Sequence, residues 1–153
     1  WLPSAGILNT STRFLRPTPD TTLTIPSTAS KVITIGAYNS RYHSYADFSG
    51  RGFTRLTNQI KPDLAAPGVN IMAPAANGGY QSVTGTSFAT PVASGAAALL
   101  MQWGIVNGND PFLYGEKVKA YLRRGAKKLP GISEYPNPMV GYGALCVRDS
   151  LPE

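Results

Sequence analysis

Tyr80-Gln81-Ser82-Val83-Thr84-Gly85-Thr86-Ser87-Phe88-Ala89-Thr90-Pro91 decides how this chain is read. Tyr80 to Thr84 has the look of a strand, and Gly85 breaks it. From Phe88 to Trp103 a helix is predicted, because Phe88, Val92, Ala96, Leu99, Leu100 and Trp103 recur at three- and four-residue steps. Ser87 therefore stands where a strand becomes a helix. The first N–H groups of a helix have no intrahelical partner, and its dipole puts positive charge there. A serine at that junction is commonly an N-cap. It is also a place where an exposed hydroxyl and oxyanion donors meet.

The run as a whole separates these readings. Gly85-Thr86-Ser87-Phe88-Ala89-Thr90-Pro91, followed by a helix with small residues at Ala93, Gly95 and Ala97, resembles the nucleophile motif of subtilisin-like serine peptidases, the subtilases. The other common nucleophile turn, Gly-x-Ser-x-Gly, needs glycine where this chain has Ala89. Lys61-Pro62-Asp63-Leu64-Ala65-Ala66-Pro67-Gly68 is similar to a second subtilase signature. So are Pro26-Ser27 with Val32-Ile33-Thr34-Ile35-Gly36-Ala37, the turn Phe48-Ser49-Gly50-Arg51-Gly52, and Val140-Gly141-Tyr142-Gly143-Ala144-Leu145. Three longer phrases, at 21–26, 100–105 and 114–122, resemble the Csp-type branch in particular.

The resemblance implies an α/β fold: the C-terminal half of a three-layer sandwich on a mainly parallel sheet. Residues 1–20, rich in Pro, Thr, Ser and Arg, read as a connecting segment, and 21–153 as the C-terminal part of a catalytic domain. Strands are expected at 22–25, 32–37 and 80–84, all joining one sheet whose other strands lie elsewhere. The apolar, β-branched run Lys31–Tyr38 reads as a strand buried on both faces. Shorter strands are expected before Pro67 and over 69–74, helices over Phe88–Trp103 and Tyr114–Arg124, and a last short helix after Leu145. Trp1 in place of Met points to a piece of a longer protein, and the first eight residues lack the pattern of a signal peptide.

By the same resemblance Ser87 is the nucleophile, with Gly85 and Thr86 forming oxyanion and substrate contacts. Subtilases use Asp, His and Ser, in that chain order, with an upstream Asn as side-chain oxyanion donor. This chain has neither the Asp nor the His motif. Its one histidine, His43, stands in Arg41-Tyr42-His43-Ser44-Tyr45 and reads as a surface-loop residue, and Asn9 has the wrong neighbours for the oxyanion loop. In subtilisin itself, loss of the base costs roughly six orders of magnitude in turnover. The chain alone is thus expected to be inactive and to need an N-terminal half as partner, with a protein or peptide as substrate. Without that half, self-association is expected. Two further readings stay open: a non-catalytic subtilase-like sensor or scaffold, and a stand-alone basic binding domain.

Composition narrows the rest. With 42% hydrophobic and 14% charged residues the chain is neither disordered nor, lacking any uninterrupted apolar run of 18 residues, a membrane span. The formal charge is +6, concentrated in Lys117, Lys119, Arg123, Arg124, Lys127 and Lys128. These read as a solvated helix face with cations toward its C-terminal end. No interleaved aromatics mark a nucleic-acid surface. Cys146 is a single cysteine in an apolar run, read as a packing residue, and fixes no redox compartment. No cofactor is expected, and no metal, since Asp47, Asp63 and Asp110 are isolated in sequence. The resemblance places the parent in bacteria, spore-associated or secreted.

Overall fold

The computed structural model describes Asn9 and residues 11–152. Residues 1–8 and 10 of the predicted connecting segment lie outside them. The order of elements is β1 (Ile35–Asn39), β2 (Ser44–Tyr45), β3 (Leu64–Pro67), β4 (Ile71–Pro74), β5 (Tyr80–Val83), α1 (Thr86–Met101), a π-helical turn (Gln102–Val106), α2 (Glu116–Arg124) and α3 (Val147–Ser150). This is the α/β arrangement expected from the sequence.

The sheet that organises the core has the order β2-β1-β3. β1 and β3 are parallel, with Ile35 opposite Leu64 and Ala37 opposite Ala66, while β2 returns antiparallel beside Tyr38 and Asn39. Alternation along β3 divides its side chains between two faces. Leu64 joins Ala96, Leu100, Leu113, Val118 and Leu122 beneath the helices, and Ala66 packs with Ala37, Ala46 and Ala89. Ala65 points the other way, to Tyr38, Leu129, Val140 and Ala144. Both faces are therefore covered, as the apolar run at Lys31–Tyr38 foretold. The Phe48-Ser49 turn contributes directly: the buried Ser49 hydroxyl accepts the Ala37 N–H at 2.9 Å.

The outer edge of β3 is closed by the far end of the chain. Ala65 N–H donates to Gly143, Leu145 N–H to Ala65, and Tyr142 N–H to Asp63, all within 2.9 Å. Gly141 permits this approach. Its φ is 59°, and a Cβ there would lie 2.2 Å from the Pro62 carbonyl oxygen.

Several sequence expectations need correction. Residues 22–25 form no strand. Thr22 is tied to Arg51 by its own N–H at 2.8 Å and by its hydroxyl, which accepts the Arg51 N–H at 2.9 Å, and Thr24 opens a turn. The strand over 32–37 begins later, at Ile35, because the Thr34 N–H and the Val32 carbonyl are bound to side chains, Asp63 and Lys61. β5 does not join the main sheet. It pairs antiparallel with β4 in a separate hairpin, with Ile71 opposite Val83.

The buried face of α1 matches the predicted one only in part: Ala96 and Leu100 are buried and Trp103 packs against the same cluster, but Val92 and Leu99 are not on it. Ala89, Ala93, Ala96 and Leu100 are buried, whereas Val92 and Leu99 are exposed, Leu99 by 54%. Small side chains let the helix lie close against the alanines of β1 and β3. The larger apolar residues form a second stripe facing outward. Residues Thr86–Val106 have length and mean hydropathy (1.3) sufficient to cross a membrane by composition, but the alanine stripe makes this the core helix of the layer. The helical run does not stop at Trp103 as expected but continues through the π turn to Val106, past Gly104. Gly104 lies buried within the π turn, where a Cβ would meet the Leu113 side chain at 2.5 Å, and the chain turns away at Gly108 with φ 76°.

Candidate active site

The Gly85-Thr86-Ser87 turn, where the sequence places the nucleophile, is held almost wholly by backbone. Gly68, at the end of the Lys-Pro-Asp signature, accepts the Gly85 N–H on its carbonyl at 2.8 Å. Gly68 is pressed so close to Ala37 that a Cβ would lie 2.7 Å from the alanine Cβ. Two residues on, the Asn70 N–H donates to the Thr84 hydroxyl at 2.9 Å. The two signatures that stand out in the sequence are thus bonded to each other through Gly68 and Gly85, and the residues just outside them, Asn70 and Thr84, are bonded as well.

Gly85 has φ 154° and ψ 157°, a conformation essentially confined to glycine. It is the N-cap of α1, and its carbonyl accepts the Phe88 N–H at 3.1 Å. No side chain caps this helix. Ser87 is therefore not an N-cap. It occupies the second helical position, where it is exposed, and its N–H falls among those the helix leaves without an intrahelical partner. Pro91 sits one turn on and has no N–H, so the Ser87 carbonyl lacks the usual i+4 donor. The first turn carries no acidic residue to offset the dipole.

Gly85, Thr86 and Ser87 are thus brought together on one exposed turn. His43 is elsewhere: it is exposed on the β1–β2 turn with φ 52°, as its sequence context indicated. Cys146 is half-buried and precedes α3 as its N-cap residue, so it is less enclosed than the sequence suggested. Among the described residues no group of three or more His, Cys, Asp or Glu side chains could hold a metal.

Sequence reasoning missed the most concentrated electrostatic feature. Asp63 is completely buried, and Lys61 is 1% exposed. The Asp63 carboxylate accepts from the Thr34 N–H at 2.7 Å, from Lys61 Nζ at 2.7 Å and from Arg123, with Lys119 Nζ at 3.4 Å. Burial pushes its carboxyl upward. The hydrogen bonds from Lys61, Thr34 and Arg123, with the Lys61 charge, outweigh that and hold it below the usual carboxylate range. Burial lowers the Lys119 ammonium, and the Lys61 and Arg123 charges lower it further against the pull of Asp63. Lys119 and Arg123 are thus not part of a solvated face. Lys119 donates to the carbonyls of Ser30 and Val32 at 2.6 and 3.1 Å, and Arg123 lies over the Tyr142 ring at 4.7 Å. Asp63, isolated in sequence, has cations for neighbours. The available signal was Lys61-Pro62-Asp63 itself, two opposite charges beside an apolar strand, which must be paired if buried.

Lys117 and Lys127 do face solvent, and each has an acidic partner: Asp110 at 2.6 Å and Asp149 at 3.0 Å.

The family model described as the subtilase family matches residues 9–143. Serine protease AprX of Bacillus subtilis is 34% identical over 155 residues, covering 88% of this chain and 33% of its own length. The solved CspB protease of Clostridium perfringens is 48% identical with a TM-score of 0.88, covering 94% of this chain and 30% of that one. The prenylagaramide maturation protease PagA is 30% identical with a TM-score of 0.69. The chain spans about a third of the length of AprX and of CspB. The likeness to CspB agrees with the Csp-type phrases of the sequence. These matches, with the two signatures clamped around Gly85 and Ser87, make this chain a member of the subtilase family, carrying a C-terminal portion of its α/β fold.

Proposed function

We propose that the chain is the nucleophile-bearing part of a subtilisin-like serine endopeptidase. Ser87 Oγ attacks the scissile carbonyl of a protein or peptide. A histidine from an N-terminal portion takes the hydroxyl proton and later delivers it to the leaving amine. The acyl-enzyme is then hydrolysed by water. The Ser87 N–H is one oxyanion donor, and an Asn from the same N-terminal portion is the other. Gly85 and Thr86 keep the backbone open to the substrate. The observation that carries this reading is Gly85, whose glycine-only backbone presents an uncapped, exposed Ser87 at the second helical position.

The partner is the N-terminal portion of a subtilase domain. Val92, Leu99 and Val106, seven residues apart on α1 and its π turn, are exposed apolar side chains that form a stripe suited to such a partner. The chain alone is expected to associate and to leave a fluorophosphonate probe unreacted. Adding the N-terminal half in trans is expected to suppress association and switch on labelling at Ser87, with Ser87→Ala unlabelled. Sedimentation and labelling on the same samples check both. Strong labelling of the monomeric chain alone refutes the divided site. A folded, reconstituted pair that stays unlabelled identifies a non-catalytic scaffold instead.

A further inference from the structure

We propose that the cleft beside Asp63 binds a small tetrahedral oxyanion, a phosphate or sulfate group, through Arg123, with Lys61 and Lys119 adding their charge. The cleft is about 580 Å³ and is lined by Ser30, Lys61, Glu116, Lys119, Arg123 and Tyr142 among others. It is remote from Ser87 in the fold. Asp63 and Thr34 precede the N-terminal ends of β3 and β1, while Gly68 and the nucleophile turn lie beyond their C-terminal ends.

The charge balance points to an anion. Three cations converge on one carboxylate, and that carboxylate is saturated: one oxygen takes Lys61 and the Thr34 N–H, the other Arg123 and Lys119. Two positive charges in a largely buried cluster are left without a counter-ion, and unpaired buried charge is costly. A donor remains as well. Arg123 Nε is buried and has no hydrogen-bond partner. Lys61 Nζ, 1% exposed, bonds Asp63 and the Val32 carbonyl at 2.9 Å and adds charge to the cleft rather than a further bond. Lys119 is fully used by Ser30, Val32 and Asp63, so it contributes charge and no further bond. Tyr142, beneath the guanidinium, fixes the plane in which Arg123 presents its donors.

The other basic cleft makes a useful contrast. It is formed by Arg124, Lys127 and Arg148, but Lys127 is 59% exposed and already paired with Asp149. Water satisfies those cations, and nothing there demands an anion.

Glu116 is the one acidic residue lining the Asp63 cleft, and it is exposed on the first turn of α2. Its charge opposes an incoming anion, which supplies a sensitive test. The ¹⁵N-labelled protein is titrated with inorganic phosphate at constant ionic strength, using chloride as balance, and followed through its arginine Nε–H resonances. A saturable shift of the Arg123 Nε–H is expected. Phosphate binding read by ³¹P line width should weaken about tenfold or more in Arg123→Lys, which keeps the Asp63 pair and loses Nε. It should tighten in Glu116→Gln and stay unchanged in Arg55→Gln, a change at an exposed arginine. Absence of a saturable wild-type shift overturns the proposal whether or not the variants fold. So does an Arg123→Lys protein that binds phosphate as well as wild type, or a stronger response to acetate than to phosphate.

Discussion

The two ends of the β1–β3 pair are built on opposite principles. At the C-terminal end, Gly68, Asn70, Thr84 and Gly85 hold the Gly85–Ser87 turn with two uncharged hydrogen bonds, each from a backbone N–H, and the Ser87 side chain is left exposed. At the N-terminal end, Lys61, Asp63, Lys119 and Arg123 are drawn inward and bonded to one another. Backbone hydrogen bonds fix position without imposing charge, so they suit a site whose reacting group must stay free. Buried ion pairs tolerate no missing member, because each leaves an uncompensated charge behind. On the proposed function, one end leaves Ser87 free to react, and the other locks three segments distant in sequence.

The comparison breaks most visibly at Asp63. Asp63→Asn keeps the shape but leaves three cations facing a neutral amide. A loss of about 3–5 kcal/mol is expected from denaturant unfolding. The pH dependence follows the same carboxylate. Its folded pKa is depressed, so its contribution is present above the unfolded value and disappears as pH falls through the folded value. Wild-type stability should therefore drop in acid, and Asp63→Asn should lack that component of the drop. Equal stability of the two proteins at neutral pH would remove the locking role.

Gly85→Val tests the other end. A β-branched residue cannot adopt φ 154°, and about 1–3 kcal/mol of strain is expected. In the reconstituted protein the damage should appear chiefly as lost probe labelling at Ser87, with α1 retained by circular dichroism. Normal labelling would show that the turn does not depend on glycine.

The smallest effect is expected at Thr84. Thr84→Val removes the acceptor of the Asn70 N–H, a contact between exposed residues worth about 1 kcal/mol or less. Stability should hardly change, while labelling of Ser87 slows, because the hydroxyl joins the residues just outside the two signatures. A large loss of stability with unaltered labelling would reverse the assignment of roles.

These contrasts explain what could be read in advance. The turn at Gly85-Thr86-Ser87 was legible because local chemistry dictates it: strand residues, a glycine, then helix formers. The doubly buried β1 was legible for the same reason, though its first residues were captured by Asp63 and Lys61. The orientation of α1 was not legible. Apolar periodicity marks Val92 and Leu99 as readily as Ala89 and Ala93, and only the close alanine layer of β1 and β3 decides between the stripes. The ion cluster was hidden because its members come from residues 61–63 and from α2, and no periodicity connects them.

The seam between β3 and the Tyr142–Leu145 segment has a consequence for synthesis. Ala65 meets Ala144 about eighty residues later. A chain emerging from the ribosome must therefore carry β3 with one open edge until the Tyr142–Leu145 segment has been translated. Open strand edges are templates for wrong pairing, and distant pairings form slowly. Residues 142–145 accordingly act as the closing stitch of this sheet, and a chain halted before Val140 would be left with one edge of β3 uncovered.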